Sequence, residues 1–210
     1  MGAWPGAVDH VDVSPNGISI TTVQGAEPAG LCGTGALDTL AGLLDAGVVL
    51  YSGRFAPAQD WPLALRTHYT EDGTGRPGFT LARAGEPGAV ILSQSDVRQL
   101  QLARGAIAAG ISVLLDHAGI SPGQLASVFT AGALGSFLRP QSALRTGLVP
   151  VTSPERIRYL GNAALAGATR ALLNKSERAR AAQLACGIQY IELSGRADFS
   201  AAFEKHLIFP

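Results

Sequence analysis

The chain has 210 residues, 47% of them apolar and 15% charged, and its 16 Lys and Arg side chains balance 16 Asp and Glu side chains. This length and apolar content allow a sizeable core and exclude a disordered chain. Zero net charge argues against nucleic-acid binding, which depends on clustered basic side chains, so we expect no nucleic-acid partner.

The cysteine content and the hydropathy of the chain exclude further classes of protein. Cys32 and Cys186 are the only cysteines, and they provide neither a metal-ligand spacing nor a disulfide framework, so we expect two reduced, packed thiols and no metal site. The longest apolar run, 105–115, has 11 residues, short of the roughly 18 that a membrane span needs. The N-terminus lacks the features of a secretory signal. These observations predict a cytoplasmic protein without a membrane partner.

The first predicted element is a β-hairpin. Residues 7–13 and 18–22 alternate in hydropathy, and Pro15-Asn16-Gly17 between them is typical of a tight turn. A glycine-rich segment at 30–35 follows. After it, leucines recur at helical spacing to near Gly47, which predicts a helix.

The middle of the chain combines a loop-rich segment with a long helix. Residues 51–88 are rich in Pro and Gly and predict an insertion with a second hairpin, formed by 79–83 and 89–92. A helix to about residue 118 then begins at Ser93, which has the capping-box spacing to Asp96. Its predicted buried stripe consists of Val97, Leu100, Ala103, Ile107, Ile111 and Leu114.

From residue 121 onward, strands and helices alternate. We expect strands at 128–131, 157–160 and 190–193, the first of them buried, and helices at 140–146, 162–173, 175–186 and 199–207. Early hairpins followed by this alternation indicate an α/β fold with a mixed sheet flanked by helices.

Three glycine-rich elbows, at 30–35, 131–136 and 161–164, precede or begin predicted helices. Each would present bare backbone N–H groups that a ligand with lone pairs can approach. Turn geometry alone can require such glycines, and none of the elbows matches a dinucleotide fingerprint or a P-loop. A shared ligand pocket and three unrelated turns are therefore both open interpretations.

Side-chain chemistry alone gives no catalytic site. Asp38 and Asp45 are an unconvincing carboxylate pair on the first helix, and no Gly-x-Ser-x-Gly nucleophile motif is present. The four histidines fall in unrelated segments and are expected at the surface or satisfied in the core: His10, His68, His117 and His206. We assign no catalytic residue.

A distinctive order of motifs runs through the chain. Its segments are Gly30-Leu31-Cys32-Gly33-Thr34-Gly35-Ala36-Leu37-Asp38, Ser52-Gly53-Arg54-Phe55, the helix at 93–115, Phe129-Thr130-Ala131-Gly132, 138–147, 161–167 and the final Phe209-Pro210. This order resembles the C-terminal part of the ATP-dependent reductive activators of corrinoid proteins. The similarity covers essentially all 210 residues and is weakest at 56–88.

The resemblance implies that full-length members join a 2Fe–2S ferredoxin domain, a linker and an ATPase core. That core belongs to the superfamily of acetate and sugar kinases, heat-shock chaperones and actin. These activators use ATP to return inactive Co(II) corrinoid to Co(I) for methyl transfer. Residues 1–210 resemble a single ribonuclease-H-like domain, the second lobe of the core. The implied partner is a corrinoid protein or a corrinoid methyltransferase, and a homodimer is an open expectation.

The resemblance also gives roles to the elbows. Residues 131–135 are similar to the adenosine loop of the superfamily, Gly33-Thr34-Gly35 resembles the helix start beside ribose and adenine, and 161–164 resembles the helix opening below the purine. The implied nucleotide-binding residues are Gly33, Thr34, Gly35, Gly132, Ala133, Gly135 and Asn162.

Two departures from the family pattern limit these roles. Ala133 replaces a usual glycine, and its methyl group could crowd the purine. No Asp-x-Gly-Thr phosphate loop occurs, and Met1 matches an internal family position. We therefore expect a fragment that lacks the ferredoxin domain, linker and first lobe, binds ATP or ADP with Mg²⁺ weakly or not at all, and does not hydrolyse ATP alone. The 2Fe–2S cluster is expected only in the missing domain.

Two alternatives accompany this interpretation. The first is a non-catalytic scaffold, derived from the same lobe, that docks a corrinoid protein or associates with itself. The second is a lobe of a sugar or acetate kinase, which shares the fold but lacks support from the order of the motifs.

Overall fold

The computed structural model describes residues 1–82 and 89–210, without the side chains of Ala133 and Ser136. The strands are β1 (Ala7–Ser14), β2 (Gly17–Thr22), β3 (Gly30–Leu31), β4 (Tyr69–Glu71), β5 (Pro77–Ala82), β6 (Val90–Ser93), β7 (Val128–Thr130) and β8 (Ile157–Tyr159). The helices are α1 (Gly33–Asp45), α2 (Gln94–Ala118), α3 (Gly132–Phe137), α4 (Pro140–Arg145), α5 (Ala163–Leu173), α6 (Lys175–Gly187) and α7 (Ala197–His206). The predicted α/β class is confirmed, although the strands are divided among three small sheets with the orders β2-β1-β3, β4-β5-β6 and β7-β8.

The first sheet is mixed and carries α1. β1 and β2 form the predicted antiparallel hairpin, and β3 pairs with β1 in parallel. A Cβ atom on Gly35 would lie 2.3 Å from the carbonyl oxygen of Val8, and one on Gly42 would lie 2.6 Å from Cβ of Val13. The helix approaches the strand this closely because both glycines lack a side chain.

The segment predicted as a loop-rich insertion supplies much of the core. β4, β5 and β6 are antiparallel, which confirms the second hairpin as far as Ala82, while Arg83 lies outside the described residues. Trp61 is buried, and its indole Nε1 donates a hydrogen bond to the backbone at 2.9 Å. Three aromatic rings have centroids 5.5–5.9 Å from that of Trp61: Phe55, Tyr69 and Phe79.

Helix α2 begins and ends as its caps predict, but its buried face differs from the expected stripe. Ser93 and Asp96 form the predicted capping box, and Gly119 follows the helix with φ of +66°. Ile107 and Leu114 are 50% and 57% exposed and Ala103 is also exposed, so the predicted buried stripe is wrong at these three positions. The reason is that α7 packs on a neighbouring face of α2, whose buried residues are Val97, Gln101, Arg104, Gly105, Ala108, Ala109, Val113 and Leu115.

The C-terminal region is more exposed than its sequence predicts. β7 and β8 pair in parallel, but the expectation of a buried first strand is wrong at Phe129, whose side chain is 59% exposed. The strand expected at 190–193 is absent, and Tyr190 lies exposed in an irregular segment. Helices α5 and α6 contain no buried residue.

The two cysteines occupy different environments. Cys32 is buried, Cys186 is exposed, and both are free thiols. The expectation of two packed thiols is wrong for Cys186, because α6 buries none of its residues. Across the described part of the chain, no helix combines the length and the apolar composition that crossing a bilayer requires.

Candidate functional site

The structure brings the three glycine elbows into contact at one edge of the fold. The backbone N–H of Gly132 donates to the carbonyl oxygen of Gly161 at 3.0 Å, so the second and third elbows are hydrogen-bonded to each other. A Cβ atom on Gly33 would lie 3.0 Å from Cδ1 of Leu134, which places the start of α1 against α3. Parallel pairing of β7 and β8 explains why the second and third elbows meet, because the carboxyl ends of parallel strands share an edge.

In the first elbow, two of the three predicted residues face inward. Thr34 is buried, and its hydroxyl donates to the carbonyl oxygen of Asp9 at 2.9 Å. Gly35 is buried against Val8, as described above. Gly33 is exposed and begins α1. Thr34 and Gly35 therefore shape the elbow, and Gly33 is its accessible backbone.

In the second elbow, Gly132 has open space at its Cβ position, whereas Gly135 is packed closely against its neighbours. Gly132 has φ of +81°, and a Cβ atom there would meet nothing within 4 Å. A Cβ atom on Gly135 would lie 3.1 Å from that of Thr130, so this glycine allows α3 to pack on β7. The side chain of Ala133 lies outside the described residues, and its expected effect on a purine stays a prediction.

The third elbow also combines a glycine with open space at its Cβ position and a residue with a structural role. Gly161 has φ of +72° and open space at its Cβ position. The side-chain oxygen of Asn162 accepts a hydrogen bond from the backbone N–H of Leu165 at 3.0 Å, so it caps α5. Asn162 thus has a clear structural role. The carbonyl oxygen of Gly161 accepts from the backbone N–H groups of Gly132 and Ala163, both at 3.0 Å, so what is open at Gly161 is the space at its Cβ position.

The chemistry available at these elbows suits a flat, uncharged ring. Leu134, Leu160 and Leu165 are all exposed close to the elbow glycines. Residues 30–36, 130–137 and 160–165 contain no charged side chain. The elbows can therefore offer apolar surface to a nucleoside, but no cation to its phosphates.

The sequence-based reasoning missed a buried polar network around Asp38. One carboxylate oxygen, Oδ2, lies 2.9 Å from Nδ1 of His10 and 3.4 Å from Nε of Arg139, and the other accepts from the hydroxyl of Ser142. The pKa of Arg139 is raised, mainly by its hydrogen bond to Asp12 and also by the charge of Asp38. The sequence feature that could have indicated this network is the position of Asp38 among the leucines of α1, since an acidic residue on a buried helix face needs polar partners.

Asp45 does not share this site. It is exposed and forms an ion pair with Arg145, whereas Asp38 is buried, so the two carboxylates are not an acid–base pair. His10, His68 and His206 have hydrogen-bond partners, and His117 is exposed, as predicted. Among the described residues, no three His, Cys, Asp or Glu side chains are placed to share a metal ion.

Comparisons with known proteins place this mixed α/β fold in a family. A family model described as the C-terminal domain of RACo, the ASKHA domain, matches residues 1–210. The chain belongs to that family, which confirms the resemblance stated above.

Two relatives extend this assignment. The corrinoid activation enzyme RamQ of Eubacterium limosum is 28% identical over 213 residues, a match that covers 100% of this chain and 36% of RamQ. A solved structure named reductive activator for corrinoid, iron-sulfur protein superposes with a TM-score of 0.87 at 30% identity, covering 100% of this chain and 33% of that one. The chain thus spans about a third of the length of these relatives.

Proposed function

We propose that this chain is the nucleotide-side C-terminal lobe of an ATP-dependent activator that returns a Co(II) corrinoid protein to Co(I). The contact of the three elbows carries this proposal, since Gly132 bonds to Gly161 and Gly33 lies against Leu134. Both relatives are named as corrinoid activators, which supports the reaction and a corrinoid protein as the partner.

The nucleoside would lie against three glycines of the elbows, Gly33, Gly132 and Gly161, which have no side chain to keep it away. Gly132 and Gly161 leave space where a Cβ atom would stand, which supports a close approach of a purine. Thr34 and Gly35 would hold the start of α1 in place, Gly135 would hold α3 on β7, and Asn162 would hold the start of α5. Ala133 would border the purine.

Phosphates, Mg²⁺ and the iron–sulfur cluster would be held outside this lobe. ATP would supply the free energy for the uphill electron transfer, but the elbows offer its phosphates no charged side chain. The residues do not fit a 2Fe–2S cluster, which needs four cysteine ligands, because the chain has two cysteines. Residues 1–210 would act as one domain within the longer protein.

The alternative, a scaffold that docks a corrinoid protein or a second copy, rests on a different observation. Leu172, Leu173 and Leu184 are 74%, 80% and 62% exposed on α5 and α6. Apolar surface of this kind is typical of protein–protein contacts. Sedimentation velocity of the chain tests it, because a scaffold that pairs with itself would form dimers that Leu173→Ser weakens.

Adenosine binding tests the proposed site. Titration followed by amide NMR should show shifts at the elbows, with a Kd no tighter than about 1 mM, or about 4 kcal/mol. Gly132→Ala should weaken binding about tenfold, or about 1.4 kcal/mol, because its methyl group would occupy the open space through which the purine approaches.

Gly119→Ala is the matched control. Gly119 also has positive φ and open space, but it ends α2, away from the three elbows. It should leave adenosine binding unchanged. Absence of shifts at the elbows, or equal weakening by both variants, would contradict the proposed nucleoside site.

A further inference from the structure

A cavity of about 210 Å³ lies between α2, α7 and the segment 147–150, none of which belongs to the elbows. Three polar side chains line it, those of Arg104, Ser112 and His206. The rest of the wall is mostly apolar and includes Ala108, Ile111, Leu148, Val149, Pro150 and Ile208. Its polar groups are thus concentrated in an otherwise hydrophobic space.

Arg104 is a buried cation without a counter-ion in the described structure. Arg104 is 2% exposed. None of the ion pairs among the described residues includes it. One terminal nitrogen donates to the carbonyl oxygen of Ile208 at 3.1 Å, and the guanidinium lies 4.8 Å from the ring centroid of Phe209. Its Nε atom is buried with no hydrogen-bond partner.

Such a group has an energetic cost that a bound anion would relieve. Burying an unpaired charge is unfavourable, and a buried donor without a partner adds its own desolvation penalty. Burial accordingly lowers the pKa of Arg104. The main-chain oxygen of Pro210, which also lines the cavity and is part of the terminal carboxylate in a chain of these 210 residues, accepts from Arg145 at 2.6 Å and not from Arg104.

The second polar group, His206, lies near two positive charges, one of which is Arg104. Its Nε2 atom lies 2.9 Å from the hydroxyl oxygen of Ser112. Burial lowers the pKa of His206, and the positive charges of Arg104 on α2 and Lys205 on α7 lower it further. An anion in the cavity would face two groups that favour negative charge, Arg104 and protonated His206.

We propose that this cavity binds a small organic carboxylate, with its charged end at Arg104 and its short hydrocarbon body against the apolar wall. A carboxylate matches the donor geometry of a guanidinium. The cavity is smaller than the roughly 300–1,000 Å³ of pockets for drug-sized ligands, so the ligand must be small. Inorganic phosphate fits less well, because its remaining oxygens would face apolar side chains.

Butyrate, its uncharged isostere butyramide and inorganic phosphate are the probes. Proton NMR of the His206 ring in the 210-residue chain gives the readout. Butyrate at about 20 mM, enough to fill a millimolar site, should raise the pKa of His206, because the carboxylate offsets the charges of Arg104 and Lys205. Butyramide and phosphate should leave it unchanged. No shift with butyrate, an equal shift with butyramide, or tighter binding of phosphate would overturn the proposal.

A substitution at Arg104 tests whether this residue binds the carboxylate. Arg104→Gln should weaken butyrate binding about tenfold or more, the usual effect of losing a charge-assisted hydrogen bond. Arg158→Gln, which removes an exposed arginine on β8, is the charge-matched control and should bind butyrate as the unaltered chain does. If Arg104→Gln does not fold, the comparison of butyrate with butyramide in the unaltered chain decides the question alone. Equal affinities in both variants would overturn the assignment to Arg104.

Discussion

The carboxylate of Asp38 on α1 lies 2.9 Å from Nδ1 of His10 on β1, and its side chain is only 1% exposed. Ser142 on α4 donates to the other carboxylate oxygen, and Arg139 lies beside the first. A buried carboxylate is tolerated when hydrogen bonds and charge compensate its lost hydration. Asp38 therefore joins three separate parts of the chain behind the elbow at the start of α1.

Replacing Asp38 should destabilise the fold strongly. Asp38→Ala leaves His10 and Ser142 without a partner and Arg139 with less compensation, and we expect a loss of about 3 kcal/mol in the free energy of unfolding. Asp45→Ala, on the same helix, removes only an exposed ion pair with Arg145 and should cost below about 1 kcal/mol. Urea denaturation measures both, and similar losses would contradict the structural role of Asp38.

A second prediction concerns stability and follows from the close packing of α1 on β1. Gly35→Ala would place a methyl group 2.3 Å from the carbonyl oxygen of Val8, which the backbone must move to accept, so we expect a loss of about 1–3 kcal/mol. Gly167→Ala on α5 meets nothing within 4 Å and should stabilise the protein by up to about 1 kcal/mol through helix propensity. Thermal unfolding should separate the two variants in opposite directions, and a neutral Gly35→Ala would show that the packing is looser than described.

Local signals in the sequence predicted the local structure well. The turn before Gly17 fixed the first hairpin, and Ser93 with Asp96 fixed the start of α2, because both depend on residues close in the chain. The buried face of α2 was predicted incorrectly at Ala103, Ile107 and Leu114, because hydropathy does not show which face α7 covers.

The candidate site was predictable only in part. The glycine pattern located the elbows, but it could not separate the open glycines, Gly132 and Gly161, from Gly35 and Gly135, which serve packing. Only tertiary contacts make that distinction. The partners of Asp38 were invisible for the same reason, since His10 and Ser142 lie 28 and 104 positions away in the sequence.

ATP hydrolysis should be negligible in the 210-residue chain. Phosphoryl transfer needs positioned phosphates and a metal ion, and the elbows contain no charged side chain to position them. Phosphate release with ATP and Mg²⁺ should equal that of a heat-inactivated sample. Release above that level that Gly132→Ala abolishes and Gly119→Ala preserves would show that this lobe alone assembles a catalytic site.

Acid should destabilise the fold through His206. Its pKa is lowered by burial first and then by Arg104 and Lys205, so the folded protein favours the neutral ring. The unfolded chain binds the proton first as the pH falls through about 6.5, the ordinary histidine value. The stabilisation is therefore complete above that pH and is lost as the pH falls towards the lower pKa of the folded state. His206→Gln should flatten this part of the profile of urea midpoint against pH between about 7.5 and 5, whereas His117→Gln, at an exposed position, should not. A profile that His206→Gln leaves unchanged would contradict this role.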